Sequence, residues 1–287
     1  MKRWWIALAA ATAAVVAGVA VAQGLPPAWI APRAPVKIGD NLYYVGSEGL
    51  AAYLIVTPKG LILIDGTMTQ NVPAIEANIK ALGFKLSDVD ILLNTHAHFD
   101  HAAGLARLKA DTGAGLLASA GDKPLLERGV YPGSEDVAFL KFPPVKVDHV
   151  LKDRDTVTLG GVTLTAYLTP GHTPGCTTWT FPVKINGVVR RAMILCSTSV
   201  AANRLAPNPQ YPGIVADYRA TFARLAKMQA DVFLAPHPEQ FGFAEKLAAR
   251  AAGKSGAFVD PTELARRVEA SRLDFEAELA RQQKAKP

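Results

Sequence analysis

The chain has 287 residues, 49% of them hydrophobic and 20% charged, with two cysteines and six histidines. This is enough apolar material for one large domain with a sizeable core. The formal charge of +6 comes without a Lys/Arg run along one face, so a nucleic-acid partner is not indicated, although a mild basic excess favours solubility and the approach of small anions. No heptad series, fixed-period repeat or low-complexity tract is present.

In chain order, the first segment reads as a leader. Lys2 and Arg3 precede an almost unbroken apolar run from Trp4 to Ala22, and Ala20-Val21-Ala22 fits a small-x-small cleavage site before Gln23. The run also approaches the length of a membrane-spanning helix; the alanine content and the cleavage pattern favour a signal peptide over an uncleaved anchor. Residues 1–22 are therefore expected to direct export, to a bacterial periplasm, leaving a domain over 23–287 with no membrane partner after cleavage. Setting Lys2 and Arg3 aside leaves 29 basic against 25 acidic residues, a charge of +4.

Gly24 to Pro35 is rich in proline and tryptophan and is expected to lie on the surface as an arm. Val36–Ile38, Leu42–Val45, Ala52–Val56 and Leu61–Asp65 are short alternating or apolar runs. Gly39-Asp40 and Pro58-Lys59-Gly60 punctuate them, which predicts an antiparallel meander. Helical spacing from Val72 to Leu82 ends at Gly83. The apolar run Ile91-Leu92-Leu93 predicts a buried strand, and a helical pattern runs from Ala102 to Lys109.

Between them stands His96-Ala97-His98-Phe99-Asp100-His101. Alternate side chains of an extended backbone share a face, so His96 and His98 can reach one metal ion. Asp100 and His101 project from the helix start towards a neighbouring point. Imidazoles with one carboxylate suit zinc.

Gly115–Ser119 reads as a strand, Lys123–Arg128 as a helix, and Gly129–Val147 as a long loop. Loops of that length are usually functional or flexible. Strands at Thr156–Leu159 and Val162–Leu168 follow, the second ending in Thr169-Pro170-Gly171-His172-Thr173-Pro174-Gly175. Thr177–Phe181 and Arg191–Leu195 are expected to pair through a hairpin at Asn186-Gly187. A helix over Asp217–Met228 and a strand over Val232–Ala235 lead to Pro236-His237-Pro238-Glu239. The last helix should start at Asp260-Pro261-Thr262-Glu263, with Glu263 completing a capping box, and run to about Lys284. Five of the six histidines thus fall at strand ends, where side chains can face a site. The sixth, His149, sits among charged residues and reads as solvated surface.

The His96–His101 motif, Gly171-His172-Thr173-Pro174-Gly175 and Pro236-His237-Pro238 together resemble the metallo-β-lactamase superfamily, and within it the subclass B3 metallo-β-lactamases. The likeness runs from about Trp29 to His237 and into the helix beyond. It implies an α+β fold, a four-layer αβ/βα sandwich with the site along one edge of the two sheets. It also implies two zinc ions per chain, one held by His96, His98 and His172, the other by Asp100, His101 and His237. The activity implied is opening of β-lactam rings by a zinc-bound hydroxide, with Asp100 orienting it and no covalent enzyme intermediate.

In Ile194-Leu195-Cys196-Ser197-Thr198-Ser199, many relatives such as glyoxalase II and the lactonases place a metal-bridging Asp, which is missing here. Ser197 and Ser199 resemble the B3 hydroxyl pair that contacts the substrate carboxylate; as a plain alternative, they cap a strand. Asn203 falls where the family often puts a side chain, sometimes a tyrosine, near the substrate carbonyl. The alternative function is another exported dizinc hydrolase, such as a lactonase.

Cys176 begins one strand of the hairpin and Cys196 ends the other. Opposed positions bring β-carbons to about 4.5–5.5 Å, within a modest adjustment of disulfide geometry, and an oxidising compartment preserves such a bond. A disulfide is expected, with two separate buried thiols as the other arrangement.

Overall fold

The computed structural model describes residues 24–285, so the expected leader over residues 1–22 lies outside the described residues. Strands β1 (Val36–Gly39), β2 (Leu42–Tyr44), β3 (Tyr53–Thr57) and β4 (Gly60–Ile64) form the expected antiparallel meander. β5 (Val89–Leu93), β6 (Gly115–Ser119) and β7 (His149–Leu151) then add in parallel, giving a seven-stranded sheet in sequence order. The second sheet has five strands: β8 (Thr156–Leu159), β9 (Val162–Leu168), β10 (Thr177–Ile185), β11 (Val188–Ile194) and β12 (Val232–Leu234). Its order is β12-β11-β10-β9-β8, antiparallel except for the β11–β12 pair.

The sheets pack face to face, and alternation along the strands shows why. Tyr53, Ile55, Ile62, Ile64 and Leu93 join Leu164, Ala166, Trp179, Phe181 and Ile194 in the core between the sheets. Their neighbours Leu54, Leu61, Leu63 and Leu92 point the other way, into a second core beneath helices α1 (Val72–Ala81) and α3 (Leu105–Thr112). Both faces of these strands are buried, so they read as unbroken apolar runs. Each such side chain contributes about 1.5–3 kcal/mol. The other outer layer is α5 (Ile214–Leu225), α6 (Phe243–Ala251) and α7 (Glu263–Lys284). Tyr218, Phe222 and Phe275 join the helices to the inner core. This is the αβ/βα sandwich the resemblance implies.

Several local expectations change. The helix expected over Ala102–Lys109 is split into α2 (Phe99–Ala102) and α3. The reason is the turn after β4: Gly66 N–H donates to His101 O at 2.9 Å and Gly104 N–H to Thr67 O at 3.0 Å. A β-carbon on Gly104 would stand 2.2 Å from Gly66 O, so only glycine lets the turn seat against the helix start. α4 (Lys123–Arg128) is as expected.

His149 is exposed but opens β7, a short edge strand whose one inward residue, Leu151, is too little to make a pattern. α6 went unanticipated because only Phe243 of it is fully buried. Glu263 does not cap α7. It is 3% exposed, its Oε2 accepts from Lys246 Nζ at 2.6 Å, and Asp260 instead receives the Thr262 N–H.

The N-terminal arm is more than a surface strap. Ser47 Oγ and Asn71 Nδ2 each donate to Trp29 O at 2.8 Å. Leu25 and Ile30 are buried with Leu50 and Met68. That anchoring sets the Trp29 ring 5.5 Å from the His237 ring and 6.3 Å from Phe99.

Candidate functional site

Every candidate ligand lies at or just beyond a strand's carboxyl end: His96 and His98 after β5, His172 after β9, His237 after β12, with Asp100 and His101 on α2. These strand ends meet along one edge of the sandwich, the usual place for a crevice in such folds. The six residues form two adjoining triads, His96-His98-His172 and Asp100-His101-His237, with ligand atoms in each within 4.8 Å of one another.

The imidazoles are set to coordinate. Asp65, fully buried, accepts from Asn94 Nδ2 at 2.8 Å, Thr95 N at 2.7 Å and Thr95 Oγ1 at 2.6 Å. With its proton given to Asp65, the Thr95 hydroxyl accepts from His96 Nδ1 at 3.0 Å, which leaves a lone pair on Nε2. His172 Nδ1 donates to Ser199 O at 2.7 Å, with the same effect. A ring nitrogen thus fixed in one tautomer is how proteins orient metal-binding histidines. The Nε2 atoms of His96 and His98 are buried with no hydrogen-bond partner, a costly state unless a cation is bound there.

Burial and the neighbouring imidazoles hold His96 and His98 well below the usual histidine range. Burial takes His172 down to about 4, against the opposing hydrogen bond to Ser199. Neutral imidazoles are the coordinating form.

In the second triad Asp100 Oδ2 stands 3.1 Å from His101 Nε2 and 3.3 Å from His237 Nε2, and the two ring nitrogens are 3.1 Å apart. Burial opposes ionisation of Asp100, yet the two imidazoles hold it well below the usual carboxylate range. Three donors converging on one point in this way fit a divalent cation. Nitrogen with a single carboxylate suits zinc among the common ions.

Two buried carboxylates beside the candidate ligands, Asp65 and Asp122, lie outside the expected set. Asp65 is raised to about 6 by burial, which His101 and the Thr95 bonds oppose. Asp122 is likewise pushed up by burial to about 6, against hydrogen bonds from Thr173, Ala97 and Gly175. Neither could be picked out from sequence spacing, because their partners are backbone N–H groups, hydroxyls and, for Asp65, the Asn94 amide, all in distant loops.

The crevice has a volume of about 440 Å³, within the usual range for small-molecule sites. Leu25, Trp29, Phe99, Tyr131, Phe139 and Leu140 give it an apolar wall, and Ser197 and Ser199 face it beside His172. Their hydroxyls are 3.2 Å apart. Tyr131, from the long loop, stacks on His98 at 4.1 Å.

The structure does not bring Asn203 to the crevice. At 1% exposure, it donates to His172 O at 3.0 Å and accepts from Tyr131 Oη at 3.0 Å. Its amide is spent holding the His172 loop, which differs from the expected position near a substrate carbonyl.

Cys176 and Cys196 form a disulfide, Cα atoms 5.7 Å apart. They are not directly opposite, since the register Trp179↔Ile194 continues to Thr177 against Cys196. The pairing has ended there, Thr177 N–H going to Thr95 O and Cys196 N–H to Thr178 Oγ1, which frees the backbone to close the bridge.

Fold and site together define a two-sheet αβ/βα protein with a pair of triads at the sheet edge that could each hold a metal ion. A family model described as the metallo-beta-lactamase superfamily matches residues 49–186. Among solved structures, BJP-1 of Bradyrhizobium japonicum, a subclass B3 metallo-β-lactamase, is 49% identical with a TM-score of 0.87, covering 89% of this chain and 97% of its own. FEZ-1 metallo-β-lactamase of Legionella gormanii is 42% identical with a TM-score of 0.85, covering 89% and 98%.

Curated relatives match over shorter stretches. Hydroxyacylglutathione hydrolase of Methylococcus capsulatus is 34% identical over 49% of this chain and 43% of that protein. Human mitochondrial persulfide dioxygenase ETHE1 is 31% identical over 41% and 37%. The chain thus spans about two fifths of the length of those relatives. It belongs to the metallo-β-lactamase superfamily.

Proposed function

We propose that this protein is a dizinc hydrolase of subclass B3 that opens the ring of β-lactam antibiotics. The observation that carries the reading is the make-up of the crevice. Two complete triads stand beside the Ser197–Ser199 hydroxyl pair, and Asp100 is the one carboxylate within them. Likeness to B3 enzymes over nearly the whole of their length supports it.

Zinc at the triads would supply a Lewis acid and lower the pKa of a bound water towards ~7. The chain's own residues do the rest. Ser197 and Ser199 offer hydroxyls to the substrate carboxylate. Asp100, held ionised by His101 and His237, accepts a hydrogen bond from the attacking water and orients it. The apolar wall of Trp29, Phe99 and Phe139 excludes water and packs on the acyl side chain. The other reading, a thioester or lactone hydrolase, draws on the curated relatives, but Ser197 stands in the segment where such enzymes carry the bridging aspartate.

Export through residues 1–22 to the periplasm is part of the proposal. No helix among the described residues is long and apolar enough to cross a membrane.

Neither serine is expected to act as a nucleophile. The nearest base, His172 Nδ1, is 3.4 Å from Ser199 Oγ, but its proton is committed to Ser199 O at 2.7 Å, so it cannot accept another. A clavulanate-type acylating agent should leave activity intact. Mass spectrometry tests this: an unmodified mass after incubation is expected, and a stable acyl adduct on Ser197 or Ser199 would count against the hydrolytic mechanism.

A further inference from the structure

The end of β6 and the turn after it, Ser119-Ala120-Gly121-Asp122, carry no candidate ligand, yet they touch both loops of the His96-His98-His172 triad. Asp122 is 1% exposed, and among the described residues no Lys, Arg or His forms a salt bridge with it. Its Oδ2 accepts from Ala97 N–H and from Thr173 Oγ1, each at 2.8 Å, and its Oδ1 accepts from Gly175 N–H at 2.8 Å. Ala97 lies between His96 and His98, and Thr173 directly follows His172. One carboxylate therefore holds the chain next to all three imidazoles.

The backbones interlock around it. Ser119 Oγ donates to Gly175 O at 2.5 Å. A β-carbon on Gly121 would stand 2.6 Å from Pro174 O, and one on Gly175 would stand 2.2 Å from Asp122 N. A buried carboxylate without a cation partner costs several kcal/mol unless its lone pairs are filled. Three donors spread over both oxygens offset that cost, an arrangement that suits an acceptor-only group. An amide in its place would present an N–H to an N–H.

We infer that Asp122 is a positioning residue: it clamps the His96-Ala97-His98 segment to the His172 loop at the separation at which the three imidazoles meet one metal ion. The inference rests on the triads as metal sites and is independent of which substrate the enzyme opens. Asp100, His101 and His237 lie outside its reach, so the two metal sites should respond differently.

The test is competition titration of cobalt(II) against a chromophoric chelator, with the cobalt absorption spectrum recorded alongside, on wild type, Asp122→Asn and Thr173→Val. In Asp122→Asn the affinity of the three-imidazole site should fall about 10- to 100-fold, the usual effect of removing an outer partner of metal ligands, and its absorption bands should shift. The Asp100-His101-His237 site should keep wild-type affinity. Thr173→Val deletes one of the three donors and should lower the same site's affinity less, in the same direction; it decides the matter if Asp122→Asn does not fold. Unchanged affinity and spectrum at the three-imidazole site, or equal losses at both sites, would overturn the clamp. Loss of β-lactam turnover in the wild type would overturn the proposed substrate and leave this inference standing.

Discussion

Replacing His172 by alanine should lower β-lactam turnover by about 10³-fold or more, roughly 4 kcal/mol of transition-state stabilisation, since the Lewis-acid contribution of a metal ion is several kcal/mol. The side chain is one of three donors in its triad and has no substitute nearby. The fold should survive. His172 gives up one hydrogen bond, from Nδ1 to Ser199 O, worth about 1 kcal/mol net. Its backbone stays tied, because Asn203 Nδ2 holds His172 O and Asp122 holds Thr173. Asp100→Ala should behave alike through the second triad. Steady-state kinetics with metal analysis and circular dichroism check both variants. Retention of near wild-type turnover with one metal site emptied would contradict the assignment.

Loss of the Cys176–Cys196 bond is the second large effect. The two residues are 20 apart in sequence, and on the chain-entropy model a loop of that size contributes roughly 3 kcal/mol. For a chain of this length that corresponds to a fall in Tm of about 5 °C. Both cysteines are fully buried. The bond joins the residue after the His172 loop to the residue before Ser197, so its removal should also weaken substrate binding through the serine pair. A Cys176→Ala/Cys196→Ala double variant reads the stability in a thermal melt. Thiol titration of the denatured, unreduced protein reads the bond itself: no free thiol is expected, and two per chain would refute it.

The central strands and the two candidate ligand clusters were legible in the sequence because they obey local rules. β3 to β5 are apolar runs that must be buried on both faces, and the His96–His101 motif compresses four candidate ligands into six residues. The Asn186-Gly187 turn identified its hairpin for the same reason, and the fold inferred from the motifs matches the structure. What could not be read depends on distant contacts.

The arm from Gly24 to Pro35 carries no periodicity, yet hydrogen bonds from the Ser47 and Asn71 side chains to the Trp29 carbonyl make Trp29 a wall of the crevice. Asn203 stood at the expected position in the chain but turns inward to His172 and Tyr131. Asp122 gave no signal at all, since its partners lie 25 to 53 residues away. β7 and α6 bury too few side chains to imprint a pattern.

The most direct measurement is hydrolysis of a chromogenic cephalosporin by the purified protein, with and without a zinc chelator and with S-D-lactoylglutathione as a comparison substrate. Rapid ring opening that stops when the metal is stripped and returns with added zinc is the expected result. An absence of cephalosporin hydrolysis with both triads loaded, alongside turnover of the thioester, would contradict the β-lactam assignment.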